Sequence, residues 1–148
     1  MRKLQVGCSK LPLLSVIRSA RWTKRMVYIL VANKSYKYPS GRRSHIIYIG
    51  TTGHGAGRPA ASAVNKASLA FKKLHGVKKI GVYIATCRGR KALRTWEHLE
   101  AGLLNAFRDL HYKLPVYNKK KGQLFAEDRV FSKRALEKLI SQFERVRL

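Results

Sequence analysis

Two short runs decide how this chain is read: Met26-Val27-Tyr28-Ile29-Leu30-Val31-Ala32-Asn33 and His45-Ile46-Ile47-Tyr48-Ile49-Gly50-Thr51. Each is rich in β-branched and aromatic residues and too short for an ordinary helix, so each reads as a buried strand. The polar stretch between them, residues 34–44, holds Pro39 and Gly41 and reads as a long loop closing a hairpin. Downstream, Gly53-His54-Gly55-Ala56-Gly57 leads into Arg58-Pro59, and proline suits the first helical position, which sets Arg58 at the helix entrance. Ala60, Ala63, Val64, Ala67, Ala70, Phe71 and Leu74 then recur at helical spacing until Gly76 stops them.

Further along, residues 79–87 are strand-like, and a second helix is expected over about residues 91–110. After a loop with Pro115 and Asn118, Ser132 stands where it would cap a last helix whose apolar positions are Leu136, Leu139, Ile140, Phe143 and Val146. The order strand, strand, helix, strand, helix, helix predicts an α/β (α+β) domain, with a small three-stranded, mainly antiparallel sheet flanked by helices. The expected organisation is a basic N-terminal segment over residues 1–25, a core over 26–118, and a basic loop and C-terminal helix over 119–148 on the same domain.

Charge narrows the partners. The 148 residues carry 32 Lys and Arg against 7 Asp and Glu, a net charge of +25, where about 2–8 serves solubility in a small domain. Residues 1–96 hold 21 of those cations and no acid, so the stretch has no internal counter-charge. A phosphate backbone is the fitting counter-charge, and DNA is the expected partner. With 45% hydrophobic residues the chain is no disordered basic tail. Two cysteines, Cys8 and Cys87, make no disulfide framework and no zinc spacing, which fits a reducing, cytoplasmic setting. No apolar run approaches the ~20 residues needed to span a membrane.

Chemistry is carried by few residues. The glycine stretch reads G-x-G-x-G, unlike a dinucleotide fingerprint or a P-loop, but amides at a helix start beside Arg58 make a seat for one phosphate group. On the second helix, Trp96, Leu99, Leu103, Phe107 and Leu110 fall on one face at 100° intervals, with Glu100 inside the same arc. A carboxylate aimed at a core is costly unless it pairs with a cation or holds a metal ion, and the helix alone supports either.

With these residues in place, the chain resembles the GIY-YIG nuclease family. The resemblance rests on Val27-Tyr28-Ile29, on Tyr48-Ile49-Gly50, on Arg58 ten residues after Tyr48, and on Glu100, Leu103-Leu104, Pro115 and Asn118 in that order. It implies a metal-dependent DNA endonuclease that leaves 5′-phosphate and 3′-hydroxyl ends. Tyr28 or Tyr48 would be the general base, its phenol pKa lowered by nearby cations. Arg58 would hold the scissile phosphate, Glu100 would bind one Mg²⁺ (or Mn²⁺), and Asn118 would support the site by hydrogen bonding. The family often has His or Tyr one turn after the arginine; here that position is Ser62, and His54 is the candidate substitute for proton transfer. Lys119, Lys120, Lys121, Arg42 and Arg43 are the expected DNA-backbone contacts. The competing reading is a non-catalytic basic nucleic-acid-binding protein, ribosome- or nucleoid-associated.

Overall fold

The computed structural model describes residues 9–11, 15, 24–55, 57–73, 76–87, 94–119 and 130–148. Strand β1 (Met26–Lys37) lies at the centre of a three-stranded sheet, between β2 (Arg43–Thr52) and β3 (Ile80–Ala85), in the order β2-β1-β3. Both neighbours run antiparallel to it. Helices α1 (Gly57–Lys73), α2 (Thr95–His111) and α3 (Lys133–Ser141) complete an α+β fold, followed by a 3-10 turn over Gln142–Glu144.

Residues 26–32 of β1 are all buried, for a reason visible in the two faces of the strand. Val27, Ile29 and Val31 share a cluster with Leu99, Leu103 and Phe107 of α2 and with Leu136 and Ile140 of α3. Tyr28, Leu30 and Ala32 meet Ile47, Ala70 of α1 and Val77 on the other side. Side chains alternate between faces, so a strand covered on both reads as an unbroken apolar run. Leu136, Ile140 and Phe143 belong to the core that α2 packs on, which places residues 133–148 in the same domain as the sheet.

Three expectations need correction. The hairpin connection is short: β1 continues through Lys37, and Tyr38 N–H donates to Arg42 O (2.9 Å) while Gly41 N–H donates to Tyr38 O (2.9 Å). Gly41 sits at φ +82°, a conformation that favours glycine. Main-chain pairing needs no apolar side chains, so the polar residues 34–37 still join the sheet, after an irregularity between Val31 and Tyr36. Arg43 secures that end by donating from Nε to Ser35 Oγ (2.9 Å).

The second correction concerns α1, whose Val64 and Phe71 are 51% and 44% exposed although they keep helical spacing. A small helical core of Ala67 and Ala70 suffices to cover that face of the sheet. The third concerns α2, which is described from Thr95 and extends to His111, where Tyr112 ends it in the left-handed region at φ 60°. Residues 91–93 of the expected helix lie outside the described residues. Ser132 does occupy the N-cap of α3, yet its carbonyl, not its hydroxyl, receives the amides of Ala135 (3.0 Å) and Leu136 (3.1 Å). Most of the 1–25 segment and the loop over 120–129 also lie outside the described residues. No helix among the described residues is long and apolar enough to cross a membrane.

Candidate active site

The site begins with a glycine. Tyr28 on β1 pairs in register with Gly50 on β2, and both tyrosine rings close over that glycine. A Cβ at Gly50 would stand 2.6 Å from Tyr28 Cζ and Oη and 2.7 Å from Tyr48 Cε1, inside any tolerable contact. Only a hydrogen in place of a side chain lets the two rings approach, with centroids 6.0 Å apart. Tyr28 is sealed from solvent, while Tyr48 is half-buried.

Helix α1 supplies the next layer. Residues at i, i+4 and i+8 line one helical face, and here they are Arg58, Ser62 and Lys66. The Ser62 hydroxyl is 2.9 Å from the Tyr28 hydroxyl, and Lys66 Nζ sits 5.2 Å from the centroid of the Tyr48 ring. Arg58 is exposed at the helix start and acts electrostatically on both Tyr48 and Glu100. Ser62 stands at the position one turn after Arg58 that the family resemblance points to, whereas no motif marks Lys66. Its helical register with Arg58 and Ser62 is the signal that would have found it.

Helix α2 brings Glu100 toward the same place. Thr51 at the end of β2 donates from Oγ1 to Met26 O (3.0 Å) and reaches Trp96 O (3.5 Å), so the start of α2 is tied to the open end of the hairpin. Burial pushes the Glu100 carboxyl up to about 7; the attraction of Arg58 works against that rise and the repulsion of Glu97 adds to it. Glu97 itself faces Arg94 in an exposed pair at 3.3 Å. Burial also pushes the Tyr48 phenol up to about 12, with further contributions from Tyr28 and Glu100 that outweigh the opposing pull of Arg58. The expected lowering of this phenol by neighbouring cations is therefore absent for Tyr48, because desolvation is the larger effect.

Asn118 reaches the site through the main chain. Its Nδ2 donates to Ile49 O (2.8 Å) and its Oδ1 accepts from Ile49 N–H (2.9 Å), the two bonds that a further strand would make. Tyr117 N–H adds a bond to Ile47 O (2.9 Å). The segment thus covers the outer edge of β2 at the residue between Tyr48 and Gly50, and holds that turn of backbone in place.

Other candidates fall elsewhere. His54 is exposed, and its N–H donates to Thr52 Oγ1 (3.2 Å), so Ser62 rather than His54 stands against Tyr28. Arg42 and Arg43 lie at the opposite end of the hairpin from Tyr28, nine residues along β1 from Tyr28 to Lys37, or about 25–30 Å at the rise of a strand. The Arg42 guanidinium is engaged by Glu144, Nη2 to Oε1 at 2.7 Å. Lys119 is exposed beside Asn118, and Lys120 and Lys121 lie outside the described residues.

Among the described residues no group of three or more His, Cys, Asp or Glu forms a cage for a metal ion. A single desolvated carboxylate with no hydrogen bond or close ion pair among the described residues fits a different mode, in which Mg²⁺ binds one protein oxygen and keeps its waters. Compared with known proteins, the chain matches no family model, no curated protein and no solved structure.

Proposed function

We propose that this protein is a metal-dependent DNA endonuclease of the GIY-YIG type, hydrolysing phosphodiester bonds to 5′-phosphate and 3′-hydroxyl ends. The observation that carries the reading is convergence: Tyr28 and Tyr48 from a hairpin, Arg58 from α1 and Glu100 from α2 act on one another in a single cluster. A basic protein that merely coats nucleic acid has no use for a desolvated glutamate facing a tyrosine pair. In this chain of 32 cations and 7 acids, a carboxyl held up near 7 without a close ion pair among the described residues is conspicuous.

Phosphodiester hydrolysis needs a proton acceptor for water, charge neutralisation at phosphorus, and relief of charge on the leaving oxygen. Arg58, exposed at the helix entrance, grips the phosphate with paired N–H donors. Tyr48, half-buried and next to Arg58, orients the attacking water and takes its proton. Glu100 would hold a divalent cation, which when bound supplies positive charge at the leaving 3′ oxygen. Asn118 keeps Ile49, and with it Tyr48, fixed against these groups.

Incubation of supercoiled plasmid with the protein in Mg²⁺ and in EDTA tests this. Cleavage is expected in Mg²⁺ only, with Glu100→Ala and Arg58→Lys each losing about 10² or more in rate and Glu97→Ala nearly normal. Plasmid bound tightly by the wild type but left uncut in Mg²⁺ would turn the reading toward the non-catalytic binder.

A further inference from the structure

We propose that residues 112–119 form a track for an unpaired DNA strand along the outer edge of β2, with Tyr112 as the platform on which one nucleobase stacks. The inference takes its ligand, DNA, from the reading above and names a second place on the protein where that DNA is held. It starts from a cost that the fold does not repay. Tyr112 ends α2 at φ 60°, the single non-glycine residue with positive φ among the described residues. Glycine or asparagine usually takes such a place, because a Cβ there crowds the backbone. Packing of the ring would offset the strain, yet Tyr112 is 73% exposed, the most exposed aromatic among the described residues. Its main-chain N–H donates to Arg108 O (2.7 Å), a bond that any residue but proline can make. Among the described residues its ring stacks on no other ring and its hydroxyl has no partner.

The residues that follow sort by direction. Leu114 packs on the core shared by α2 and α3, and Tyr117 on the core beneath α1, so the segment wraps the edge of β2 from one face of the sheet to the other. Pro115 is buried and Asn118 clasps Ile49, which leaves Tyr112, Lys113, Val116 and Lys119 exposed. At one end His111 O accepts from Ser40 N–H in the hairpin turn (3.4 Å), and at the other lies Ile49, beside Tyr48. Strand β2 covers about 20 Å between Arg43 and Ile49, the length of about six nucleotides at roughly 3.4 Å each. Lys113 and Lys119 supply the charge for phosphates, and the acids near the far end are already engaged, Asp109 by Lys133 (3.1 Å) and Glu144 by Arg42 (2.7 Å). In a duplex the faces of the bases are covered by their neighbours, so an exposed ring finds its partner in an unpaired base. The platform therefore favours DNA with a single-stranded stretch about six nucleotides from the phosphodiester at Tyr48.

Fluorescence anisotropy in EDTA, where no Mg²⁺-dependent cleavage intervenes, tests the track with a labelled single strand of mixed sequence and with the same strand fully paired. Tyr112→Gly removes the ring and the strained Cβ together, so its melting temperature should equal or exceed that of the wild type. Its affinity for the single strand is expected to fall about 10- to 100-fold, with duplex affinity unchanged. Tyr112→Phe keeps the stacking face and should bind both forms like the wild type. Lys113→Gln should make the slope of log affinity against log salt shallower by about 0.7 on the single strand. Phe71→Ala, which removes an exposed ring outside the track, should change neither affinity. A Tyr112→Gly protein that binds the single strand like the wild type, or loses affinity equally for both forms, overturns the track and leaves the nuclease reading standing, since that reading is judged by plasmid cleavage in Mg²⁺. A wild type that binds the duplex but not the single strand does the same. A wild type that binds neither form overturns both.

Discussion

Gly50 shows how much of the site depends on an atom that is missing. Its absent side chain is the space in which Tyr28 and Tyr48 meet, and a methyl group there would lie 2.6 Å from the Tyr28 hydroxyl. Gly50→Ala must push one ring away, and overpacking of this kind costs about 1–3 kcal/mol. Its melting temperature should drop, and on the proposed nuclease mechanism its cleavage rate should fall further than that drop explains, because the displaced ring belongs to the proposed reacting set. A variant with wild-type stability and rate would mean that the two rings have other room. Glu100 gives the opposite trade at the same scale. Its carboxyl is raised from an ordinary 4.5 to about 7, so the fold prefers the protonated form. Between those values the folded protein binds more protons than the unfolded chain, and stability is lost as pH rises through that window. Glu100→Gln removes the titrating charge and keeps the shape. Urea midpoints should show it more stable than wild type at pH 8 and little different at pH 4, while its Mg²⁺-dependent cleavage is lost. Equal midpoints for the two proteins at pH 8 would contradict the desolvation described for this carboxyl. Glu100 was legible in the sequence because a lone acid on an apolar helical face is conspicuous. Lys66 was not, since a basic residue on a helix in so basic a chain carries no mark until a strand is seen beside it; Ser62 was marked by its place one turn after Arg58, but not its contact with Tyr28.

At the scale of elements, legibility followed the number of apolar contacts. β1 and β2 announced themselves through residues buried on one or both faces, whereas the extension of β1 through Lys34-Ser35-Tyr36-Lys37 is held by main-chain pairing and stayed hidden. The α1 wheel misled in the other direction: Val64 and Phe71 repeat at helical spacing, yet the face of the sheet beneath is covered by alanines. A junction no motif could reveal joins three elements at the far end of the hairpin. Arg42 from the β1–β2 turn and His111 at the end of α2 both approach Glu144 Oε1, at 2.7 Å and 3.9 Å. His111 is fully buried against Phe107 and Tyr38, and neither of its ring nitrogens has a hydrogen-bond partner among the described residues. Burial lowers its pKa from 6.5, with Glu144 opposing and Arg42 assisting. The neutral ring is therefore the folded form, and the unfolded chain takes up a proton first as pH falls below about 6.5. The stability this neutral ring permits is complete above that pH and is lost below it. His111→Leu removes both the titration and two unpartnered nitrogens, so its urea midpoint should fall less than that of wild type between pH 7 and pH 5. Parallel acid limbs for the two proteins would show that other groups control the loss.

For the molecule as a whole, fold class, site and charge were read from different kinds of signal, and they differ in how far a side chain must be placed. The sheet and its helices needed only periodicity. The tyrosine cluster proposed as the active site needed spacing between distant motifs, while the proposed DNA-binding surface depends on which cations the fold already uses. Arg42 illustrates the last point, since its guanidinium is bound to Glu144 and tethers the hairpin turn to the C-terminal 3-10 turn. Lys119 is exposed and follows the residue that clamps β2, and Lys120 and Lys121 continue the run. If DNA is held mainly through its backbone, each phosphate contact releases counterions and adds roughly −0.9 to the slope of log affinity against log salt. Replacing Lys119, Lys120 and Lys121 by Gln should make that slope shallower by about one for each lysine that touches a phosphate, and weaken binding with little change in the cleavage rate at saturating DNA. Arg42→Gln should leave the slope alone and lower the melting temperature, because it breaks a contact within the protein. The reverse pattern, with the slope falling in Arg42→Gln and constant in the triple lysine variant, would move the DNA path to the hairpin turn, some 25–30 Å of strand away from Tyr28. A phosphodiester bound there could not reach Arg58 along the same short stretch of backbone, so the salt titration also measures whether the basic surface and the tyrosine cluster serve one substrate.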